Sequence, residues 1–261
     1  MTGLWARWQV WREARLLRQH AIPEALWQAT LARYPFLNWR SPEDVQRLRQ
    51  LATLFLTRKE FHAVPPLQLS DEMAVAIAAQ ACVPILHLGL RRYEGFVGIV
   101  LHPQAVHAAR EHHDDIGLVH QYDEELAGEA MEGGPLTLAW SEVQATDSAS
   151  AYNVVIHEFA HVLDMNNGSS DGVPTLPSAA ARAAWQNTLM TEWDWLCGEA
   201  VVGRPTVVDP YGAHSPVEFF AVASEAFFVA PGALKAQRPA LYALLGSYFA
   251  QDPAAWAPPQ G

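Results

Sequence analysis

Ile156-His157-Glu158-Phe159-Ala160-His161 is the stretch that decides how this chain folds and what its chemistry is. Two histidines four apart, with a glutamate after the first, make H-E-x-x-H. On an α-helix, positions i and i+4 lie one above the other on one face. Both imidazoles then reach a single metal ion at about 2.0–2.1 Å from each nitrogen. Glu158 stands about 100° around the helix from His157, offset from the ligand face but placed to touch a water on the metal. That arrangement suits a zinc hydrolase, in which the metal polarises a carbonyl and the carboxylate takes a proton from water. The pattern alone also arises by accident in solvated helices. Its flanks argue for a buried one: Asn153-Val154-Val155-Ile156 leads in, Val162 and Leu163 continue, and Asn167-Gly168 supplies the stop. Without a metal, a buried helix would strand two imidazoles and a carboxylate at about 1–3 kcal/mol each.

Two histidines do not hold a catalytic zinc; a third protein ligand is needed, with a fourth position open. The downstream candidates are Asp164, His214, Glu218 and Glu225. Asp164, three residues beyond His161, reads as a group that orients a ligand imidazole from outside the metal's own shell. Glu218 opens a second helical run, Ser215-Pro216-Val217-Glu218. The same four residues spell a capping box with proline at the first helical position, so Glu218 has a purely structural role available as well. Glu225 lies seven positions on and nearly on the same face, so helical geometry does not separate the two. His214 would complete a three-histidine set.

The run from Tyr152 to Met165 resembles the zinc motif of the Mlc titration factor A family. Further matching runs are Ala79-Gln80-Ala81-Cys82-Val83-Pro84-Ile85-Leu86, Gly128-Glu129-Ala130 leading to Gly134-Pro135-Leu136-Thr137-Leu138-Ala139-Trp140, and the stretch from Pro216 to Glu225. Together they span about residues 20 to 255 in the family's order. The resemblance implies a zincin-like metallopeptidase related to the anthrax lethal factor catalytic domain, with a glutamate as third ligand. It places that glutamate at Glu218, giving one Zn²⁺ held by His157, His161 and Glu218. It also implies a catalytic tyrosine seven residues earlier, which is Tyr211. Action on short peptides, as an aminopeptidase, is what the family suggests. The alternative it carries is a regulatory protein that sequesters the transcriptional repressor Mlc in control of glucose uptake.

Tyr211 has chemistry to do in such a site. A phenol aimed at the developing oxyanion supplements the metal, and losing one such donor costs about 2.7–4 kcal/mol in other enzymes. Its bland reading is a turn tyrosine in Asp209-Pro210-Tyr211-Gly212. Glu158 would be the general base and then the acid that protonates the departing amine. Residues Gly134–Trp140 read as an edge strand with proline at its start, a wall along which an extended peptide substrate docks.

Length and composition agree with a folded enzyme. At 261 residues, half of them hydrophobic, the chain buries a substantial core. The expected division is an amphipathic segment over 1–20, one metallopeptidase domain over 21–255 and a tail over 256–261. A net charge of −11 disfavours nucleic acid as a ligand. Cys82 and Cys197 stand far apart and no C-x-x-C exists, which suits a reducing cytoplasm. No run approaches the roughly 18 apolar residues of a membrane span, and the N-terminus lacks the apolar core of a signal peptide. Trp5, Trp8 and Trp11 fall at helical spacing between arginines. They read either as an interfacial helix or, the expectation here, as a tail folded back to hide its tryptophans.

Elsewhere, Ser41-Pro42-Glu43-Asp44 starts a helix and Ser70 caps another that runs to about Cys82. Strand-like runs follow at Ile85–Leu88 and Phe96–Leu101. The acidic stretch Glu111–Glu129, with His112, His113 and His120, reads as a solvated loop rather than a second metal site. Helices are expected over 178–200, 216–229 and 238–250, with Val201–Pro210 as a connecting loop. Helices, a short mixed sheet, then helices again make the fold α+β and mainly helical.

Overall fold

The serines before acidic turns do cap helices. In the computed structural model, which describes residues 2–113, 119–130, 133–146 and 151–258, α1 (Thr2–Gln19) and α2 (Glu24–Arg33) precede α3 (Pro42–Leu56). Ser41 Oγ accepts the Asp44 N–H at the head of α3. Strand β1 (Glu60–Ala63) leads to α4 (Asp71–Cys82), where Ser70 Oγ accepts the Met73 N–H. The chain then runs through β2 (Gly98–His102), β3 (Val106–His113), β4 (Val119–Leu126), β5 (Gly128–Ala130) and β6 (Leu136–Ala139). The short α5 (Trp140–Gln144) precedes α6 (Val154–Met165), α7 (Ala179–Val201), α8 (Pro216–Val229), α9 (Pro231–Gln237) and α10 (Pro239–Phe249).

The main sheet has the order β1-β2-β6-β5. β1, β2 and β6 are parallel, and β5 pairs antiparallel with β6, Gly128 opposite Leu138. A mainly helical chain with this small mixed sheet is α+β, as expected. The predicted edge strand is a correction. β6 lies between β2 and β5, and among the described residues the edge strands are β1 and β5. Pro135 precedes the ladder, so its missing N–H costs β6 nothing and does not confine it to an edge. Trp140, read as strand, opens α5.

Three other expectations change. Ile85–Leu88 is a series of tight turns, with Leu88 and Gly89 N–H donating to the Ile85 carbonyl. A short buried apolar run does not reveal its period. The stretch read as a loop over Glu111–Glu129 contributes to the β3–β4 hairpin, His112 opposite His120; its polar sequence lacks the alternation that marks a strand. The side chains of its three histidines lie outside the described residues. Finally, two of the three α1 tryptophans, Trp8 and Trp11, are not hidden; the side chain of Trp5 lies outside the described residues. Leu16 and Leu17 pack on the core and Glu13 pairs with Arg58 at 2.9 Å. Trp8 and Trp11 stay about half exposed, with the Arg12 and Arg15 guanidinium groups over their rings.

α6 runs through the middle of the core. Its Phe159 ring packs on Phe55, Tyr93 and Phe96, with centroids 5.7, 4.8 and 5.8 Å away. Lys59 ties that cluster down: its buried ammonium donates to the carbonyls of Tyr93 and Phe96 and lies 3.6 Å from the Phe96 ring centre. On another side, α8 packs against α6 and buries Phe219, Phe220, Phe227 and Phe228 completely. Among the described residues, no single helix is long and apolar enough to cross a membrane.

Candidate metal centre

α6 starts at Asn153, whose Oδ1 accepts the Ile156 N–H at 2.9 Å. The Asn153 amide nitrogen donates to Gln80 Oε1 at 2.7 Å, fixing the helix start to α4. From that start, helical spacing brings the rings of His157 and His161 together edge to face, with centroids 4.7 Å apart. α8 supplies the third group. Ser215 Oγ accepts the Glu218 N–H at 3.2 Å, so half of the capping box forms. The Glu218 carboxylate turns to the histidines instead: Oε2 lies 3.1 Å from His157 Nε2 and 3.5 Å from His161 Nε2. The two Nε2 atoms are 3.1 Å apart.

The chemistry of this donor set fits a cation. Glu225 bears on the tautomer of His157: its Oε1 lies 2.8 Å from Nδ1, and an ionised carboxylate there pairs only with an Nδ1 that carries the proton. In neutral His157, Nε2 is then a bare lone pair, aimed at another imidazole nitrogen and a carboxylate oxygen. Three such atoms converge only around a proton or a metal ion. Tetrahedral zinc at about 2.0–2.1 Å from each ligand sets ligand atoms about 3.3 Å apart, close to the 3.1–3.5 Å observed. Without an ion, a proton takes that place. Burial opposes charge on His157, but hydrogen bonds to Glu218 and Glu225 outweigh it and hold its pKa well above the ordinary value. Burial raises the pKa of Glu218, yet hydrogen bonds and charge from the two imidazoles carry it well below the usual carboxylate range.

Geometry also separates the two glutamates that spacing left together. Glu225 is buried, with its second oxygen taking the Asn153 backbone N–H, so it orients His157 and braces the start of α6. His214 stands apart from the cluster: Nδ1 is 2.7 Å from the Tyr211 carbonyl oxygen and its ring packs on the Tyr211 ring. The expectation for Asp164 changes too. Its Oδ2 accepts the Gly172 N–H at 2.9 Å, holding the α6–α7 loop rather than an imidazole.

Glu158 is buried beside the cluster, and burial raises its pKa despite the opposing pull of His157 and His161. It faces β5 at Gly128. A Cβ on Gly128 would stand 2.6 Å from Glu158 Cγ and 2.7 Å from Oε1, so only glycine leaves room for the carboxylate. Tyr211 lies in the 3₁₀ turn Pro210–His214, set by its N–H donating to Asp209 Oδ1 at 2.8 Å. Its ring centre is 6.1 Å from that of His157. Tyr152, Val154, His157, Glu158, Tyr211 and Glu225 line a cavity of about 260 Å³. The five predicted site residues thus meet in one place. Sequence reasoning missed Gly128 and left Glu225 unresolved, although both lie in runs that carry the family resemblance.

A family model described as glucose-regulated metallo-peptidase M90 matches residues 8–250. This chain belongs to the M90 family. Its relatives include an uncharacterized protein of Synechocystis, 37% identical over 251 residues that cover 94% of this chain and 90% of the relative. The Mlc titration factor A of Pectobacterium atrosepticum is 38% identical over 232 residues, 88% of this chain and 87% of the relative. That of Klebsiella pneumoniae is 36% identical over 233 residues, with 88% and 87% covered. Membership of M90 makes a metallopeptidase the frame in which the histidine–glutamate cluster is read.

Proposed function

We propose that this M90 chain is a zinc-dependent aminopeptidase with a zincin-like fold, working in the cytoplasm as one catalytic domain over 21–255. The observation that carries the reading is the convergence of His157 Nε2, His161 Nε2 and Glu218 Oε2 within 3.1–3.5 Å of one another beside a buried glutamate. These three side chains would hold the ion. Bound Zn²⁺ supplies Lewis acidity and lowers the pKa of water toward about 7. Glu158, kept from easy ionisation by burial, takes the proton of the attacking water at its carboxylate and returns it to the departing amine. The Tyr211 hydroxyl donates to the oxyanion left on the former carbonyl. Glu225 holds His157 in the tautomer that leaves Nε2 free to bind. An extended substrate would lie along β5, the strand against which Glu158 packs.

A second reading rests on the name that the Pectobacterium and Klebsiella relatives carry, which describes titration of a repressor, Mlc. A protein that only binds a repressor has no use for a buried Glu158 packed against a glycine that leaves no room for a Cβ. Assays of purified protein on amino-acid anilides, with and without chelator, and for repressor binding separate the two. Chelator-sensitive hydrolysis supports the peptidase; zinc-loaded protein that binds repressor and hydrolyses nothing refutes it.

A further inference from the structure

We propose that α1 is a membrane-docking helix that lays its outer face on an anionic phospholipid surface. The inference is independent of the peptidase chemistry and starts from what the core leaves outside. At about 100° per residue, Trp8, Trp11, Arg12, Arg15 and Arg18 fall within one arc of about 120° around the helix. Leu16 and Leu17 lie on the other side and pack on the core, and Glu13 pairs there with Arg58 at 2.9 Å. Among the described side chains, the helix is thus held by its C-terminal half. Trp8 is 49% and Trp11 55% exposed on the opposite face, with Arg12, Arg15 and Arg18 exposed around them.

The make-up of that face differs from a solvated one. A helix side that meets only water gains nothing from two neighbouring indoles. The sequence of α1 has arginines at 7, 12, 15 and 18 and a single acid, Glu13, which is turned inward to Arg58. The Arg12 and Arg15 Cζ atoms lie 5.3 and 5.8 Å from the ring centres of Trp8 and Trp11. Each pair is an apolar plate with a cation beside it. The headgroup layer accepts both parts at once, the indole at the acyl boundary and the guanidinium against phosphate. A protein partner would have to offer a shaped pocket to each indole, whereas a lipid surface deforms around both. Charge complementarity then selects anionic lipid. The whole chain carries −11, but electrostatic forces fade over a Debye length of about 8–10 Å near physiological salt. The face in contact therefore governs binding, and that face is basic. Each basic side chain close to an anionic leaflet contributes about fivefold to partitioning, so three contribute about 100-fold.

The test is co-sedimentation of full-length protein with sucrose-loaded vesicles, either of phosphatidylcholine alone or with about 30 mol% phosphatidylglycerol. Partitioning onto the anionic vesicles is expected to exceed that onto the neutral ones at least about tenfold at low salt, and to fall about tenfold between about 50 and 500 mM salt. Arg12→Glu with Arg15→Glu should lower it at least about tenfold. Trp8→Ser with Trp11→Ser should lower it at least about fivefold while leaving the salt dependence in place. All four positions are exposed, so thermal melts of both double variants should match that of the natural protein. Protein that stays in the supernatant with anionic vesicles at low salt overturns the proposal. So does equal partitioning onto the two lipid mixtures, or a folded Arg12→Glu/Arg15→Glu protein that sediments as the natural one does. Binding to soluble poly-glutamate as tight as to the vesicles makes the face a site for acidic protein and overturns the lipid assignment. A dimer in solution that Trp8→Ser/Trp11→Ser abolishes, with no vesicle binding, assigns the face to a second copy of the chain and overturns it as well.

Discussion

Replacing Glu225 by glutamine changes neither the size nor the shape of the side chain, yet it should weaken both the fold and the metal site. Two N–H groups converge on this carboxylate: His157 Nδ1–H at 2.8 Å on one oxygen and the Asn153 backbone N–H on the other. A carboxylate accepts both. An amide has one oxygen, so whichever way it is turned its own NH₂ faces a buried donor. One hydrogen bond to a charged acceptor is lost, at about 1.5–3 kcal/mol. At about 2–4 °C per kcal/mol for chains approaching this size, the melting temperature of metal-free protein should fall by about 3–12 °C. If the amide satisfies Asn153, His157 loses the partner that fixes its tautomer, and zinc affinity should fall about 10–100-fold, or about 1.4–2.8 kcal/mol. Glu218→Gln removes a proposed ligand charge outright, so its loss of affinity should exceed that of Glu225→Gln. Competition against a chromophoric chelator measures both affinities, and thermal melts measure the fold. Glu225→Gln with zinc affinity within twofold of the natural protein and an unchanged melt would show that the carboxylate neither orients His157 nor braces α6. The reverse ranking of the two glutamates would exchange their roles.

Glu158→Gln should keep zinc and lose turnover, whereas His157→Ala should lose both; atomic absorption alongside anilide hydrolysis distinguishes them, and a zinc-loaded, active Glu158→Gln refutes the base. Tyr211→Phe should lower kcat about 10²–10³-fold with little change in zinc content, and a kcat within threefold of the natural value removes the phenol from catalysis. Gly172→Ala should weaken zinc binding at a distance: a Cβ there stands 2.4 Å from the Pro216 carbonyl oxygen, in a backbone with φ of +75°, and pushes on the first turn of α8 that carries Glu218. Cobalt-substituted protein reports this through its visible spectrum, and a spectrum identical to the natural protein's refutes it. Lys59 gives a pH signature. Burial holds its pKa down to about 8, against about 10.4 in an unfolded chain, so the unfolded state binds the extra proton between those values and stability rises with pH across that window. Urea unfolding at pH 7.5 and 9.5 should show the rise in the natural protein and not in Lys59→Met; equal slopes count against it.

Much of the centre was legible because it depends on local spacing. His157, Glu158 and His161 need only one helix, and the caps at Ser41, Ser70 and Ser215 need only their own first turns. What was not legible depends on contacts between elements. Glu218 and Glu225 share a helix face, and their different roles arise from how α8 is set along α6: one carboxylate meets Nε2 of His157 and the other meets Nδ1. The edge of the sheet was misassigned for the same reason, since Pro135 permits an edge strand but strand order is a long-range property. Asp164 was read as a partner of an imidazole because it lies one turn beyond His161. Its carboxylate reaches the following loop instead, a partner that no helical spacing identifies.

Two glycines show how that long-range order reaches the chemistry. Gly128 lets β5 approach until its backbone lies against Glu158, the proposed general base. Gly172, held by Asp164 from α6 and by the Trp185 indole N–H donating to its carbonyl at 3.0 Å, closes on Pro216 at the start of α8. Trp185 in turn packs on Phe220, two residues beyond Glu218. The distance between the helices that carry the two histidines and Glu218 is thus fixed from both sides of the loop, by an aspartate one turn past the second histidine and by an aromatic contact just past the glutamate. Interiors pack too densely to absorb a displaced turn. A side chain at either glycine therefore acts on the carboxylate that its backbone touches: Glu158 directly at Gly128, and Glu218 through Pro216 at Gly172.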